Sequence, residues 1–278
     1  MPDPNSNGAH VAFDTDTNGS RGSTNSSQTA AGARRRSMSA KTRGLVVMTQ
    51  SLLLVVPLLI LGAAIDWPAS LDEPASVVLP RIIENEGAVR FGYLVYLAYS
   101  VMFLPVAVII TRWLHRTGDA HPVVLIATGM AAASAALRAI GIIRWLAAMF
   151  PMAERWETAD ADTRTILELQ FDTANDYGGA IGELLGVSLF AAAWLAVTVL
   201  GRSGTPIKTW IIASGTAAFA LLLLPLTELA GFGFDLAITL SGVAITVWLF
   251  VIGMAIFRSP ERLDPTPPAE APYETSDR

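Results

Sequence analysis

Cysteine is absent from the 278 residues. That removes disulfides, thiolate metal sites, iron–sulfur clusters and cysteine nucleophiles in one step. Charge is scarce too, at 15% of residues, where a soluble domain carries about 25%. Only three histidines occur, none within an apolar run. A haem held by histidines inside a bilayer is therefore excluded, and Ser203 in Gly201-Arg202-Ser203-Gly204 has no intramembrane base to activate it. HExxH, P-loop and strand–helix GxGxxG patterns are all missing. Asp235, behind Gly231-Phe232-Gly233-Phe234, is one residue out of register with the GxGD of aspartyl intramembrane proteases, and no second aspartate lies mid-membrane. His115 and His121 flank Asp119 in a short loop and read as solvated histidines, not as metal ligands. The net charge of −5, without a basic stripe, argues against nucleic acid as a partner. No catalytic residue, cofactor or metal is assigned.

What is present is apolar length. Hydrophobic residues make up 52% of the chain. They gather in six runs, roughly 44–65, 91–113, 122–150, 178–200, 208–230 and 234–257. Each has about the 20 residues that cross a hydrocarbon core as α-helix, and none shows the period-2 alternation of a strand. The expected fold is all-α: a polytopic bundle of six transmembrane helices occupying residues 41–258. Residues 1–40 are rich in Ser, Asn, Thr, Gly and Ala, and residues 259–278 hold five prolines among acidic residues; both read as flexible tails. The first run is read as a retained span and not as a cleaved signal, because 43 residues precede it and five spans follow.

Basic residues set the expected orientation. Arg34, Arg35, Arg36, Lys41, Arg43, Arg112, Arg116, Arg202, Lys208, Arg258 and Arg262 fall on one side, and only Arg81, Arg90, Arg155 and Arg164 on the other. Eleven against four places both termini in the cytoplasm of a cell (inner) membrane protein. The outer loops are acidic and carry apolar residues at helical spacing over 72–88 and 160–177. Each is expected to form a short helix that caps the bundle or lies at the interface; in the second, the fourth span starting early is the alternative. Trp67 and Trp156 are expected at the outer interface, Trp113 and Trp210 at the inner one.

Charges within the spans are the candidate site, since a charge in hydrocarbon costs roughly 2.5–3.5 kcal/mol on insertion scales. They are Arg138 and Arg144 in the third span, Glu183 in the fourth and Glu228 near the end of the fifth. At 1.5 Å per residue, Arg144 and Glu183 stand at similar depth and form a candidate pair. Arg138 lies deeper, with Glu183, Glu228 or a backbone carbonyl as candidate partners. Six residues separate the arginines, about 240° around a helix, which implies two contact faces. One reading is an outward-facing polar pocket among spans three, four and five, with Asp172, Asn175, Asp176 and Asp235 at its mouth. The other is a buried pair that only fixes helix register. Gly178, Gly182 and Gly186 form a double GxxxG, a helix-packing seam on the same turn as Glu183. Spans one, two and six read as scaffold. Pro57, Pro105 and Pro225 lie inside spans and mark candidate bends.

Around this seam, Phe171, Asn175, Tyr177, Gly178, Gly182-Glu183-Leu184-Leu185-Gly186 and Trp194 resemble a bacterial family of six-span membrane proteins described only as a domain of unknown function. The likeness takes in Arg138, Arg144 and Pro151, and extends over residues 44–257. Leu184 stands where the family has a histidine after the glutamate. The resemblance implies a fold and a membrane address, and no activity. The expected partners are the lipid bilayer and a small molecule or ion. The working description is a multi-pass membrane protein of unknown biochemical function. Its alternatives are a transporter or small-ligand binder using the Arg/Glu pocket, and a regulatory or sensory partner using the tails.

Overall fold

The computed structural model describes residues 38–116, 121–204, 206–232 and 236–259. Most of the two expected tails, together with Asp119 and Asp235, lies outside the described residues. Among the described residues there is no strand, and six helices are long and apolar enough to cross a membrane. They are span 1 (Ala40–Ile65), span 2 (Glu86–His115), span 3 (Pro122–Thr158), span 4 (Ala161–Leu200), span 5 (Thr209–Ala230) and span 6 (Ala237–Phe257). The protein is an all-α, multi-pass membrane protein.

Local chemistry accounts for the ends. Ser39 caps span 1, its hydroxyl accepting from the Thr42 N–H at 3.1 Å. Pro122 opens span 3 behind His121, at the one helical position where a missing N–H costs nothing. Asp160 caps span 4, its carboxylate accepting from the Thr163 N–H at 2.9 Å; the Thr163 hydroxyl first, and this backbone N–H second, hold the Asp160 carboxyl below its ordinary pKa.

The spans are unequal in length, and the two that carry the glycine crossing run beyond their expected bounds of 122–150 and 178–200. Spans 3 and 4 have 37 and 40 residues. At 1.5 Å per residue they reach about 55 and 60 Å, against a hydrocarbon core of about 30 Å. The acidic segment 160–177 is thus the early start of span 4, and the helix of span 3 runs on past Phe150. With 'outer' naming only the side of the bundle that holds the loop between spans 1 and 2, the helix Ala75–Glu84 from that loop buries Ala75, Val78, Leu79 and Ile82 against these projecting ends. Trp156 is buried in that cap and does not sit at a lipid interface.

Consecutive spans are neighbours all round: 1 on 2, 2 on 3, 3 on 4, 4 on 5, 5 on 6, and 6 back on 1. The inner half of the ring is filled by Phe103, Ile110, Trp194, Leu195, Trp248 and Leu249. Trp194 meets Phe103 and Trp248 edge-on, at 5.1 and 6.0 Å between ring centroids. A separate apolar cluster, including Leu61, Ile82, Tyr93, Trp145 and Phe171, fills the space beneath the outer cap.

Four spans depart from regular α-geometry. Span 1 breaks at Leu54, three residues before Pro57. Its inner part packs on span 6, and its outer part turns onto span 2. Span 4 widens into π-helix over Ala180–Phe190, and span 5 tightens to a 3-10 helix from Leu224, beside Pro225. Span 3 has its own π turn at Trp145–Met149. Pro105, by contrast, lies in an unbroken helix.

The closest crossing is between spans 3 and 4. A Cβ on Gly182 would stand 2.9 Å from Gly141 Cα, and one on Gly141 would stand 2.6 Å from Gly182 Cα. Neither backbone can yield to a side chain. Gly182→Leu is expected to lower stability by about 1–3 kcal/mol through overpacking, read as a fall in the melting temperature of the detergent-purified protein. Gly129→Ala, where an added Cβ meets nothing within 4 Å, is expected to leave the melting temperature unchanged or raise it.

Candidate functional site

The site grows from that glycine crossing. Gly178, Gly182 and Gly186 all face span 3. Gly178 lies under the Arg144 side chain, Gly182 on Gly141, and Gly186 on the backbone of Arg138, where a Cβ would come within 2.8 Å of the Arg138 nitrogen. The seam therefore does two things. It lets the helices touch, and it leaves space for two arginine stems that a bulkier ridge would fill.

Arg144 points along the seam. Its Nη2 lies 3.6 Å from Glu183 Oε1 and donates to Asn175 Oδ1 at 3.3 Å. Asn175 in turn donates to the Leu71 carbonyl at 2.6 Å, tying the first outer loop to span 4. Arg144 Nε is buried and has no hydrogen-bond partner. Both members of the pair adjoin helix irregularities: Arg144 immediately precedes the π turn of span 3, and Glu183 lies inside that of span 4. π-helical turns gather at functional sites.

Arg138 departs from the expectation of a carboxylate or carbonyl partner. Among the described residues no carboxylate lies within ion-pair distance of it. Its guanidinium sits over the Phe103 ring at 4.4 Å and near Tyr99 at 6.0 Å, a cation–π arrangement. Nε and Nη2 are buried and make no hydrogen bond. Glu228 is not a partner either; it is exposed on the 3-10 turn of span 5.

Three neighbouring spaces that share lining residues surround these groups. An outer vestibule of about 700 Å³ is lined by Asp72, Arg144, Asn175, Asp176, Glu183 and Glu228, among others. Beneath it a void of about 20 Å³, room for one water-sized molecule, lies between Arg144, Glu183 and Arg138. Below that, a mainly apolar cavity of about 180 Å³ again touches Glu183 and Arg138. Asp172 is exposed on span 4 and does not line the vestibule; Asp235 lies outside the described residues.

The composition of the walls also differs from the sequence reading. Spans 1, 2 and 6 are more than scaffold, since Leu54, Tyr96, Tyr99 and Thr246 all line the apolar cavity. Sequence reasoning passed over Tyr93, Tyr96 and Tyr99, although their spacing of three puts them on one helical face. Tyr93 stacks on Trp145 at 4.9 Å, and Tyr96 meets Trp67 edge-on at 5.7 Å. Gly141 was missed as well, for want of a second glycine in register.

At the inner end, His115 is not a solvated loop histidine. It is fully buried, 2.7 Å from Ser203 Oγ through Nδ1 and 2.8 Å from the Thr198 carbonyl through Nε2. The carbonyl accepts only, so Nε2 carries the proton and the Ser203 hydroxyl donates to Nδ1. The contact ties the loop after span 4 to span 2. Arg202 and Gly204, on either side of Ser203, are exposed.

Residues 48–253 match the family model described as a domain of unknown function, DUF4386. The chain belongs to that family. No curated protein and no solved structure matches it. In this DUF4386 chain the matched stretch takes in the outer part of span 1, spans 2 to 5 and most of span 6, and with them all three spaces.

The pairing of Arg144 with Glu183 gives a direct test. Arg144→Glu puts two carboxylates at the seam and Glu183→Arg two guanidiniums. Each is expected to cost about 3–5 kcal/mol, as breaking a buried pair does, and to cut the yield of folded protein. The double exchange is expected to recover most of it, as measured by size-exclusion chromatography of a fluorescent fusion. A double variant no better than the single ones would remove the pair as a structural unit.

Proposed function

We propose that this protein is a solute-binding protein of the cell (inner) membrane, of the transporter or receptor kind. It takes a small amine-bearing, zwitterionic solute from the outer side. The observation that carries the reading is the Arg144–Glu183 pair at the floor of the vestibule of about 700 Å³. Four carboxylates face that space, Asp72, Asp176, Glu183 and Glu228, against the one guanidinium of Arg144. The field favours an amine, while Arg144 offers a fork for a carboxylate. At 3.6 Å the pair is loose, so a zwitterion inserted between its members would give each a closer partner. The π segment of span 4 and the 3-10 turn of span 5 border the vestibule, and discontinuous helices at a mid-bundle site favour transport within this reading. The remaining partner is the lipid bilayer.

The basic-residue count supports cytoplasmic termini and an outward vestibule. The cysteine-free chain makes this easy to check. In intact cells a membrane-impermeant maleimide is expected to label Asp72→Cys and Asp172→Cys, both exposed at the outer end. Ser39→Cys is expected to react only after permeabilisation. The reverse pattern would invert the orientation.

For the ligand, the purified protein is screened by thermal shift against amino acids, betaines and polyamines. A ligand at 100 times its Kd contributes about 2.7 kcal/mol, which is expected to raise the melting temperature of the wild-type protein by several degrees and to leave Arg144→Ala and Glu183→Gln unshifted. No stabilising compound in these classes, or an equal response in the variants, would overturn the reading.

A further inference from the structure

The apolar cavity below the pair opens sideways. Where span 1 breaks at Leu54, its outer part leaves span 6 for span 2. The gap between them is walled by Val55 and Leu58 on one side and Val243 and Val247 on the other. All four are exposed, Val243 and Val247 by more than half. In a spanning helix at this level, such exposure faces acyl chains and not water. The gap leads into the cavity of about 180 Å³, whose far end holds Arg138.

Arg138 is 3% exposed, and its Nε and Nη2 protons have no acceptor. Ser188 Oγ and Thr246 Oγ1, on the same cavity, are also buried without a partner. Unpaired buried donors cost free energy that a bound acceptor would recover. The charge points to the acceptor's sign. Glu183 also lines this cavity, but Arg144 pairs with it at 3.6 Å from outside the lining, so the one charge on the cavity wall without an ion-pair partner among the described residues is that of Arg138. The size limits the rest. A cavity of about 150 Å³ admits a benzene ring, so this one holds roughly seven heavy atoms. That is enough for a carboxylate and the first methylenes of one chain, and too few for a phospholipid headgroup with its glycerol.

We infer that the lateral cleft between spans 1 and 6 binds a long-chain fatty acid from the bilayer, its carboxylate on Arg138 and its chain running out past Val243 and Val247. The site is distinct from the Arg144–Glu183 vestibule and reached by another route. Nε and Nη2 are closed off in the unliganded protein, so the Arg138 side chain turns toward the cavity for its guanidinium fork to bond a carboxylate bidentately; the Phe103 ring, outside the cavity lining, backs the guanidinium at 4.4 Å, and Tyr99, on the lining, stands at 6.0 Å.

The test uses radiolabelled oleate on the purified full chain in maltoside detergent. Saturable binding is expected, displaced by unlabelled oleate. Methyl oleate, which lacks the charge, and phosphatidylglycerol, which exceeds the cavity, are expected to compete about tenfold less well or worse. Arg138→Gln and the cleft-filling Val243→Trp are each expected to weaken binding by about tenfold or more. Val243→Trp alters only a bilayer-facing residue, so it decides the matter should Arg138→Gln fail to fold. Absence of saturable binding, equal displacement by the ester or the phospholipid, or unchanged affinity in Val243→Trp would overturn the inference. Asp176→Asn, at a vestibule residue that does not line the cavity, is expected to leave oleate binding in place.

Discussion

Gly141 and Gly182 meet with no side chain between them, and most of what is distinctive about this bundle depends on that contact. It brings span 3 against span 4 closely enough that Arg144 lies along the glycine ridge and reaches Glu183 and Asn175. Hydrophobic driving force between helices is weak in lipid, so association rests on close packing and on polar contacts. Here the two coincide on one turn. The glycines provide the packing, and the space they leave empty admits the charges. A leucine at position 182 would remove both together.

The ring is packed around Trp194 below this level and opens around the charged seam above it. Its inner half is filled by interlocked aromatic and aliphatic side chains around Trp194. Its outer half encloses three spaces that share lining residues, and the backbone irregularities of spans 1, 4 and 5 border them. Regular helices pack without large gaps. A bundle that leaves a vestibule and a lateral cleft has room to do so where its helices bend or widen, and four of the six spans do. Arg138 sits at the junction of the packed and open parts, with the Phe103 ring beneath it and open volume above.

The number of crossings and the residues of the charged seam were legible in the sequence because each rests on local chemistry. Twenty apolar residues, a GxxxG ridge and a glutamate within it are signals confined to one helix. What was not legible depends on how helices meet. That Arg138 would rest on Phe103 requires knowing which helix faces span 3. That His115 would be buried against Ser203 requires knowing that the loop after span 4 folds back on span 2. The length of span 4 was obscured for another reason: Asp160 to Tyr177 is too polar for a hydropathy window, yet Asp160 caps it as one continuous helix. Thr239 and Thr246 of span 6 carry no charge to single them out, and they enter the site only because span 1 breaks away beside them.

Spans 3 and 4 extend outward roughly 25 Å beyond what a bilayer needs, and the helix Ala75–Glu84 is wedged against their projecting ends. Arg144 and Glu183 stand on these same two rods, close to the point where they cross. The projecting ends do not splay: Phe150–Thr158 of span 3 packs on Ala161–Gly179 of span 4, and Ala75–Glu84 packs on both. The charged pair thus adjoins one packed outer block, filled by Leu79, Ile82, Met149 and Phe171, so its geometry is tied to that block as well as to the glycine crossing.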